Sequence, residues 1–240
     1  SIEKTKTDFE SIFITSQVAS CDNLLALFTP RYEANPQDLA LSKNIVKMMS
    51  MTEGCMDNDL FINAVQTVYN LEPTYTAAYN LYKLYSNRGD FENAVKFMEE
   101  AINSVDSDNV ADAGYYFELA AYCFKNGKSP KAYEAAQKAV ELDSAIAGKC
   151  YMLMGTIWGS TVCGGNEIER RAPYWVAVDF MTKAKNADPA LAEDANNYIR
   201  QYANYYPAAS EAFMYDVVDG QSYTVSCGGM RAVTTVRTQK

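Results

Sequence analysis

Residues 78–101 read AYNLYKLYSNRGDFENAVKFMEEA, and the spacing inside this stretch decides the fold. Ala78, Leu81, Tyr82 and Tyr85 recur at three- and four-residue intervals, the period of one helical face. Gly89 breaks the pattern, and Asp90 supplies a side chain suited to opening a second helix. Ala94, Met98 and Ala101 then resume the helical spacing. The same pattern returns as Tyr116, Leu119, Ala120 and Cys123, followed after Gly127 by Ala132, Ala136 and Ala139. A third copy runs Tyr151, Met154, Gly155 and Trp158, then Ala177, Met181 and Ala184. Small residues at fixed positions let two helices approach to about 8–10 Å. Each copy therefore encodes a helical hairpin whose Ala and aromatic positions are core. One hairpin cannot bury its own apolar face, so the copies must stack.

The pattern extends upstream through its prolines. Pro36 and Pro73 place Arg31 and Val68 in register with Ala101, Ala139 and Ala184, at intervals of 37, 33, 38 and 45 residues. Leu24 and Phe61 stand where the later copies have their first Ala. The arrangement resembles the tetratricopeptide repeat (TPR), whose nominal period is about 34 residues. That resemblance implies an all-α fold, a right-handed α–α superhelix of TPR-like units. Residues 1–206 would form about four such units and a capping helix.

Punctuation sets the expected boundaries. A helix starts with Leu39 and carries Ile45, Val46 and Met49; Asp59 reads as the N-cap of the next. Ser129-Pro130 reads as N-cap and first helical residue. Asp188-Pro189 opens a final helix to about Tyr205, before Pro207. Gly159–Pro173 reads as a long insertion between the two helices of the last hairpin. Beyond it, residues 207–240 form a tail of different composition. Ser222–Val225 and Val233–Val236 are β-branched and aromatic, with Gly228-Gly229 between them. They predict a β-hairpin, joined by more than a two-residue turn and packed on the solenoid end near Ile199, Tyr202 and Trp158.

Composition removes several functions. The net charge is −9 and no basic run occurs, which argues against nucleic-acid binding. No stretch approaches the roughly 20 apolar residues of a membrane span, so no membrane insertion is expected. The chain has no histidine, excluding Ser–His and Cys–His nucleophile pairs and every His-containing zinc site. Its six cysteines include no CxxC pair. Neither a metal nor a cofactor is expected, and the chain reads as non-enzymatic.

A second resemblance rests on longer strings. Cys163, Arg170-Arg171-Ala172, Tyr174-Trp175, Ala177-Val178-Asp179 and Lys183-Ala184 are similar to a family of exported bacterial TPR proteins. So are Gly220-Gln221-Ser222-Tyr223 and Thr234-Thr235-Val236-Arg237-Thr238 in the tail. Where that family has a Gly-Trp-Ile-type turn, this chain has Cys227-Gly228-Gly229-Met230. The resemblance implies a C-terminal piece of an exported protein, preceded by a leader and further repeats, in the periplasm or cell envelope; a cytoplasmic home stays open. In an exported chain, Cys21–Cys55 and Cys163–Cys227 are the disulfide candidates. Equivalent positions one repeat apart lie about 8–10 Å from each other, too far for a bridge of about 7 Å. The extra residues around Gly54 and Cys55 would have to close that gap.

Three groups of residues are candidates for chemistry or recognition. Glu167, Glu169, Arg170 and Arg171 read either as a carboxylate pair with an arginine clamp or, preferably, as a charged loop whose ions pair locally. Trp158 and Trp175 read either as an aromatic platform or, preferably, as core. By the TPR resemblance, the positions that line a concave groove are Lys43, Asn44, Lys47, Tyr79, Asn80, Lys83, Phe117, Phe124 and Lys125. Lys43 and Asn80 match the carboxylate clamp of chaperone-binding TPR domains. Lys47, Gly114 and Glu118 depart from it, so binding of chaperone tails is not expected. The expected function is recognition of a protein or peptide partner in an extended form. The alternative is a structural assembly or oligomerisation module of the cell envelope.

Overall fold

Ser20, Asp38, Asn58, Thr74 and Asp90 each accept a hydrogen bond from the backbone N–H three residues further on. Each starts a helix, and such caps are worth about 1 kcal/mol apiece. The structure is a computed structural model and describes residues 20–240. It divides into two compact units that meet in sequence between Ser107 and Asp108.

The first unit contains α1 (Cys21–Ala34), α2 (Leu39–Ser50), α3 (Asp59–Leu71), α4 (Tyr75–Asn87) and α5 (Phe91–Ile102). Its core repeats the sequence pattern. Leu24 and Phe28 of α1, Ile45, Met48 and Met49 of α2, Leu81 of α4 and Ala94, Met98 and Ala101 of α5 are buried. The α4–α5 pair is the quoted stretch, and Tyr85 stacks on Phe97 across it at 5.4 Å. Asn58, rather than Asp59, caps α3, because its carbonyl reaches the Phe61 N–H at 2.9 Å. Asp59 becomes the first helical residue and pairs with Arg88 at 3.0 Å.

The second unit contains α6 (Asn109–Lys125), α7 (Ser129–Leu142), α8 (Ala147–Gly159), α9 (Glu167–Ala187), α10 (Ala192–Ala203) and α11 (Ala209–Met214). Short 3-10 turns, Ser144–Ile146 and Pro189–Leu191, lead into α8 and α10. Thus Asp188-Pro189 opens a turn rather than the final helix itself, and that helix ends at Ala203. Ser129 and Pro130 are the first and second residues of α7, and Lys128 precedes them without a side-chain cap bond.

The expected insertion is shorter than its sequence implied. Only Ser160–Asn166 is irregular, and α9 begins well before Pro173. The Asn166 side chain accepts from the Ile168 and Glu169 N–H groups, while Glu169 accepts from the Asn166 N–H at 2.7 Å. This capping box starts the helix early, and the burial of Ile168, Ala172 and Pro173 itself seats the turns around the proline.

The tail also differs from expectation. It begins with α11, which the composition did not announce. Its strands β1 (Ser222–Cys227) and β2 (Met230–Thr235) pair antiparallel from Ser222↔Thr235 to Cys227↔Met230. The connection is therefore a two-residue turn. Gly228 and Gly229 both have positive φ, 61° and 76°, as a type I′ turn requires. The hairpin packs on α9 and on the segment after Trp158, where Cys227 is bonded to Cys163 and Gly228 lies against Thr161, rather than on α10. Tyr223, Val225 and Thr234 face inward, and the Trp175 indole meets the Tyr223 ring edge-on at 5.4 Å. A Cβ on Gly229 would sit 2.9 Å from Pro130 Cγ, so the hairpin tip rests on the start of α7.

Candidate functional site

The expected groove residues fall on both units. Lys43, Asn44 and Lys47 lie on α2, and Tyr79, Asn80 and Lys83 on α4. Phe117, Phe124 and Lys125 lie on α6, in the second unit. In the first unit, the structure brings Asn80 and Lys83 together on the wall of a cavity of about 330 Å³. The apolar part of that wall is Val46 from α2, Phe61 and Val65 from α3, and Leu84 from α4. Met56 stands at its edge from the α2–α3 loop, 47% exposed.

The local structure explains this arrangement. Val46, Phe61, Val65 and Leu84 continue the helical stripes of three successive helices, so stacking puts them side by side. Lys83 is aligned by its own helix: its ammonium stands 4.9 Å from the Tyr79 ring centroid. Such a cation–π contact holds the charge at the cavity mouth without neutralising it. Lys43, at a clamp-type position of an incomplete clamp, faces a carboxylate of its own chain. It pairs with Glu72 at 2.6 Å, both side chains about half exposed. Asn44 and Lys47 lie outside the cavity lining. In the second unit, Phe117 lies under the Lys149 ammonium at 4.4 Å, and Phe124 and Lys125 occupy the last turn of α6.

Sequence reasoning missed the cavity's apolar wall, because Val46, Phe61 and Val65 read only as core. Met56 was missed because it sits in an irregular loop. That loop is tied to α1 by the Cys21–Cys55 disulfide, with Cα atoms 5.2 Å apart. Gly54, at φ +71°, turns the chain so that Cys55 can reach back. The second disulfide, Cys163–Cys227, has Cα atoms 5.8 Å apart and joins the Ser160–Asn166 loop to the end of β1. Cys123 and Cys150 are buried and take part in neither disulfide, and burial pushes the Cys150 thiol up to about 11.

The remaining candidates resolve as structure. Glu167, Glu169, Arg170 and Arg171 are not in a loop but on the first turns of α9. Glu167 faces Arg170 and Arg171 at 3.4 and 3.2 Å, and Arg171 reaches Glu211 of α11 at 3.5 Å. Trp158 and Trp175 are fully buried and form no platform. Trp175 donates from Nε1 to the Arg237 carbonyl at 2.9 Å, and Arg237 Nη1 donates to the Trp175 carbonyl at 3.1 Å. Asp179 accepts from Thr234 Oγ1 and pairs with Arg237. The strings that carried the second resemblance thus meet in space and fasten the tail to α9. Among the described residues, no group of three or more Cys, Asp or Glu could hold a metal ion. Nor is any described helix long and apolar enough to cross a membrane.

In α4–α5, α6–α7 and α8–α9 the small residues lie at the helix crossings, with Ala94, Ala101, Ala132, Ala139, Ala177 and Ala184 fully buried. The fold is of the tetratricopeptide type. No family model matches the chain, and no curated protein matches it. Among solved structures, one of the MamA protein aligns with a TM-score of 0.49 at 19% identity, over 72% of this chain and 85% of that one. YrrB, described as a TPR protein with an unusual peptide-binding site, aligns at 0.40 and 16% identity, over 79% of this chain and 97% of that one. The APC/C hetero-tetramer Cut9-Hcn1 aligns at 0.38 and 12% identity, over 82% of this chain and 41% of that one. The helix pairs above, and not these alignments, carry the assignment.

Proposed function

We propose that this TPR-type chain is a non-enzymatic scaffold that binds an extended segment of a protein partner. The observation that carries the reading is the first-unit cavity, apolar along Val46, Phe61, Val65 and Leu84 and polar at Asn80 and Lys83. A pocket of this kind suits one large apolar side chain as anchor. Asn80 can serve the peptide backbone, and Lys83 an acidic residue or terminal carboxylate beside the anchor. Lys43, Asn44, Lys47 and Tyr79 flank the same helices and extend the contact along the segment. Phe117, Phe124 and Lys125 contribute a further aromatic and basic surface on the second unit. An oxidising, extracytoplasmic setting such as the periplasm or cell envelope suits the two disulfides, since cytosolic thiol pools keep most cysteine pairs reduced.

The test is selection of a displayed random-peptide library on the chain. Enriched peptides should share one large apolar residue with an acidic group near it. Their affinity should fall by about 1–3 kcal/mol in the Met56→Ala, Lys83→Ala variant. Both side chains are exposed, so the thermal midpoint should barely move. Peptides that bind the variant unchanged would place the site elsewhere. The second reading, self-assembly, draws on the exposed apolar side chains of Phe213, Met214 and Val218. Light scattering across concentration tests it, and a monomer at all concentrations removes it.

A further inference from the structure

The hairpin occupies only part of the surface on which it lies. Val236 N–H donates to the Gln221 carbonyl at 2.8 Å, which fixes the parity of the ladder. With period two along β2, Thr234, Ala232 and Met230 turn their backbone groups toward β1. Arg231, Val233 and Thr235 turn theirs outward; the Thr235 carbonyl accepts from Arg237 Nη1 at 3.4 Å, which leaves the edge at Arg231 and Val233 for a partner. The Val233 side chain, on the outer face, is 66% exposed.

Beside that edge the helical floor continues. A cleft of about 560 Å³ runs between β2 and the helices, lined by Ala232 and Val233 on one side and by Tyr133, Gln137, Phe180 and Lys183 on the other. The inward face of β1 and β2 rests on α9, and α7 and α9 extend the same support past β2. A third strand would lie about 4.8 Å beyond β2, over Phe180 and Gln137.

Charge selects the occupant. The one carboxylate in the cleft lining, Asp179, is engaged by Arg237 and Thr234. Lys183 stands over the Phe180 and Tyr151 rings at 5.2 and 5.7 Å, its charge held but not cancelled. Arg231 of β2, outside the cleft lining, adds a second cation along the edge. A second copy of this edge would bring its own Arg231 to the cleft, so self-pairing opposes like charges.

We propose that the outer edge of β2 and the α7–α9 floor form a strand-addition site for an acidic extended segment of a partner protein. Main-chain hydrogen bonds to Val233 supply the affinity, and Lys183 and Arg231 set the preference for acidic flanks. The site is separate from the first-unit cavity, and the cavity variants leave it unchanged.

The probes are two labelled peptides, Asp-Thr-Val-Thr-Val-Asp and Lys-Thr-Val-Thr-Val-Lys, followed by fluorescence anisotropy on the full chain. Val233→Pro removes an outward N–H that the hairpin does not use, a substitution edge strands tolerate. Lys183→Glu inverts the exposed charge and keeps the fold if the proline variant does not. The acidic probe should bind, and each variant should weaken it about tenfold or more. The lysine-flanked probe should bind the wild type correspondingly less. Equal binding of both probes, or binding unchanged in both variants, overturns the proposal. So does failure of both probes to bind. A concentration-dependent dimer that Val233→Pro abolishes also overturns it, by assigning the edge to a second copy.

Discussion

The first unit and the C-terminal end of the second are held together in different ways. In the first, repeat positions such as Leu24, Phe61, Ala78, Leu81, Ala94 and Met98 supply much of the buried core, with the Cys21–Cys55 bridge beside them. Its cavity is a by-product of stacking: three helices of one pattern leave a gap where their stripes meet. In the second, the hairpin is held by contacts that occur once, among them Trp175–Arg237, Asp179–Thr234 and Cys163–Cys227. Repeated contacts share their load over many residues. Single contacts concentrate it, so the second unit should be much more sensitive to point changes at those positions.

The largest test of that contrast is Trp175→Ala. The indole is fully buried and bonds to the Arg237 carbonyl, so its loss leaves a cavity under the hairpin and frees the tail. A cost of about 3–5 kcal/mol is expected in chemical denaturation. Ile45→Val in the first unit should cost only about 0.5–1.5 kcal/mol. Equal losses in the two variants would break the comparison.

Next come the disulfides, each replaced by a Ser pair. The bridges close 34 and 64 residues of sequence, and chain-entropy reasoning gives about 4 kcal/mol for both. Similar midpoint shifts in oxidised wild type against each variant are expected. The consequences should differ. Loss of Cys21–Cys55 frees the Met56 loop and weakens the peptides selected on the first-unit cavity. Loss of Cys163–Cys227 should leave those peptides unaffected. A ligand effect from the second bridge alone would reverse the assignment of the sites. Smaller again is Asp179→Asn, which loses the Arg237 ion pair but can keep a bond to Thr234; about 1–2 kcal/mol is expected. Proteolysis should then nick the chain between Pro207 and Ser222 sooner than in wild type.

The same contrast governs what could be read from sequence. The hairpins of helices were legible because close crossings demand small residues, and Ala94, Ala101, Ala132 and Ala139 repeat at the required spacing. The start of α9 was misplaced because Pro173 drew the eye as a breaker. The capping signal, Asn166 with Glu169 three residues on, sat upstream, and burial of Ile168 and Ala172 helps offset the proline's cost. Asn80 and Lys83 were singled out through the repeat, but the cavity they line was not. Its wall uses Val46, Phe61 and Val65, whose residue types are indistinguishable from core. The tail's seat had no local signal: Trp175 and Arg237 are 62 residues apart, and only the structure joins them.

The smallest expected effect comes with alkaline pH. Burial pushes the Cys150 thiol of the second unit from 9.0 to about 11. Burial, then Tyr198 and Tyr174, pushes Tyr202 of the same unit from 10.0 to about 12. In the first unit the comparable group is Tyr69, pushed to about 12 by burial and by its hydrogen bond to Glu100. All three are neutral when protonated, and all have higher values folded than unfolded. Their contribution is complete below the unfolded value and is lost as pH rises toward the folded one, because the unfolded chain then binds fewer protons. The second unit should therefore begin to weaken above pH 9.0, through Cys150, and the first only above pH 10.0, through Tyr69. Both tryptophans lie in the second unit, so their fluorescence reports that unit while far-ultraviolet circular dichroism reports both. In denaturant titrations at stepped pH, the fluorescence midpoint should fall before the dichroism midpoint, and Cys150→Ala should delay that fall to the tyrosine range. Coincident midpoints at every pH would mean that the two units unfold as one, and the difference in how they are held would then have no thermodynamic consequence.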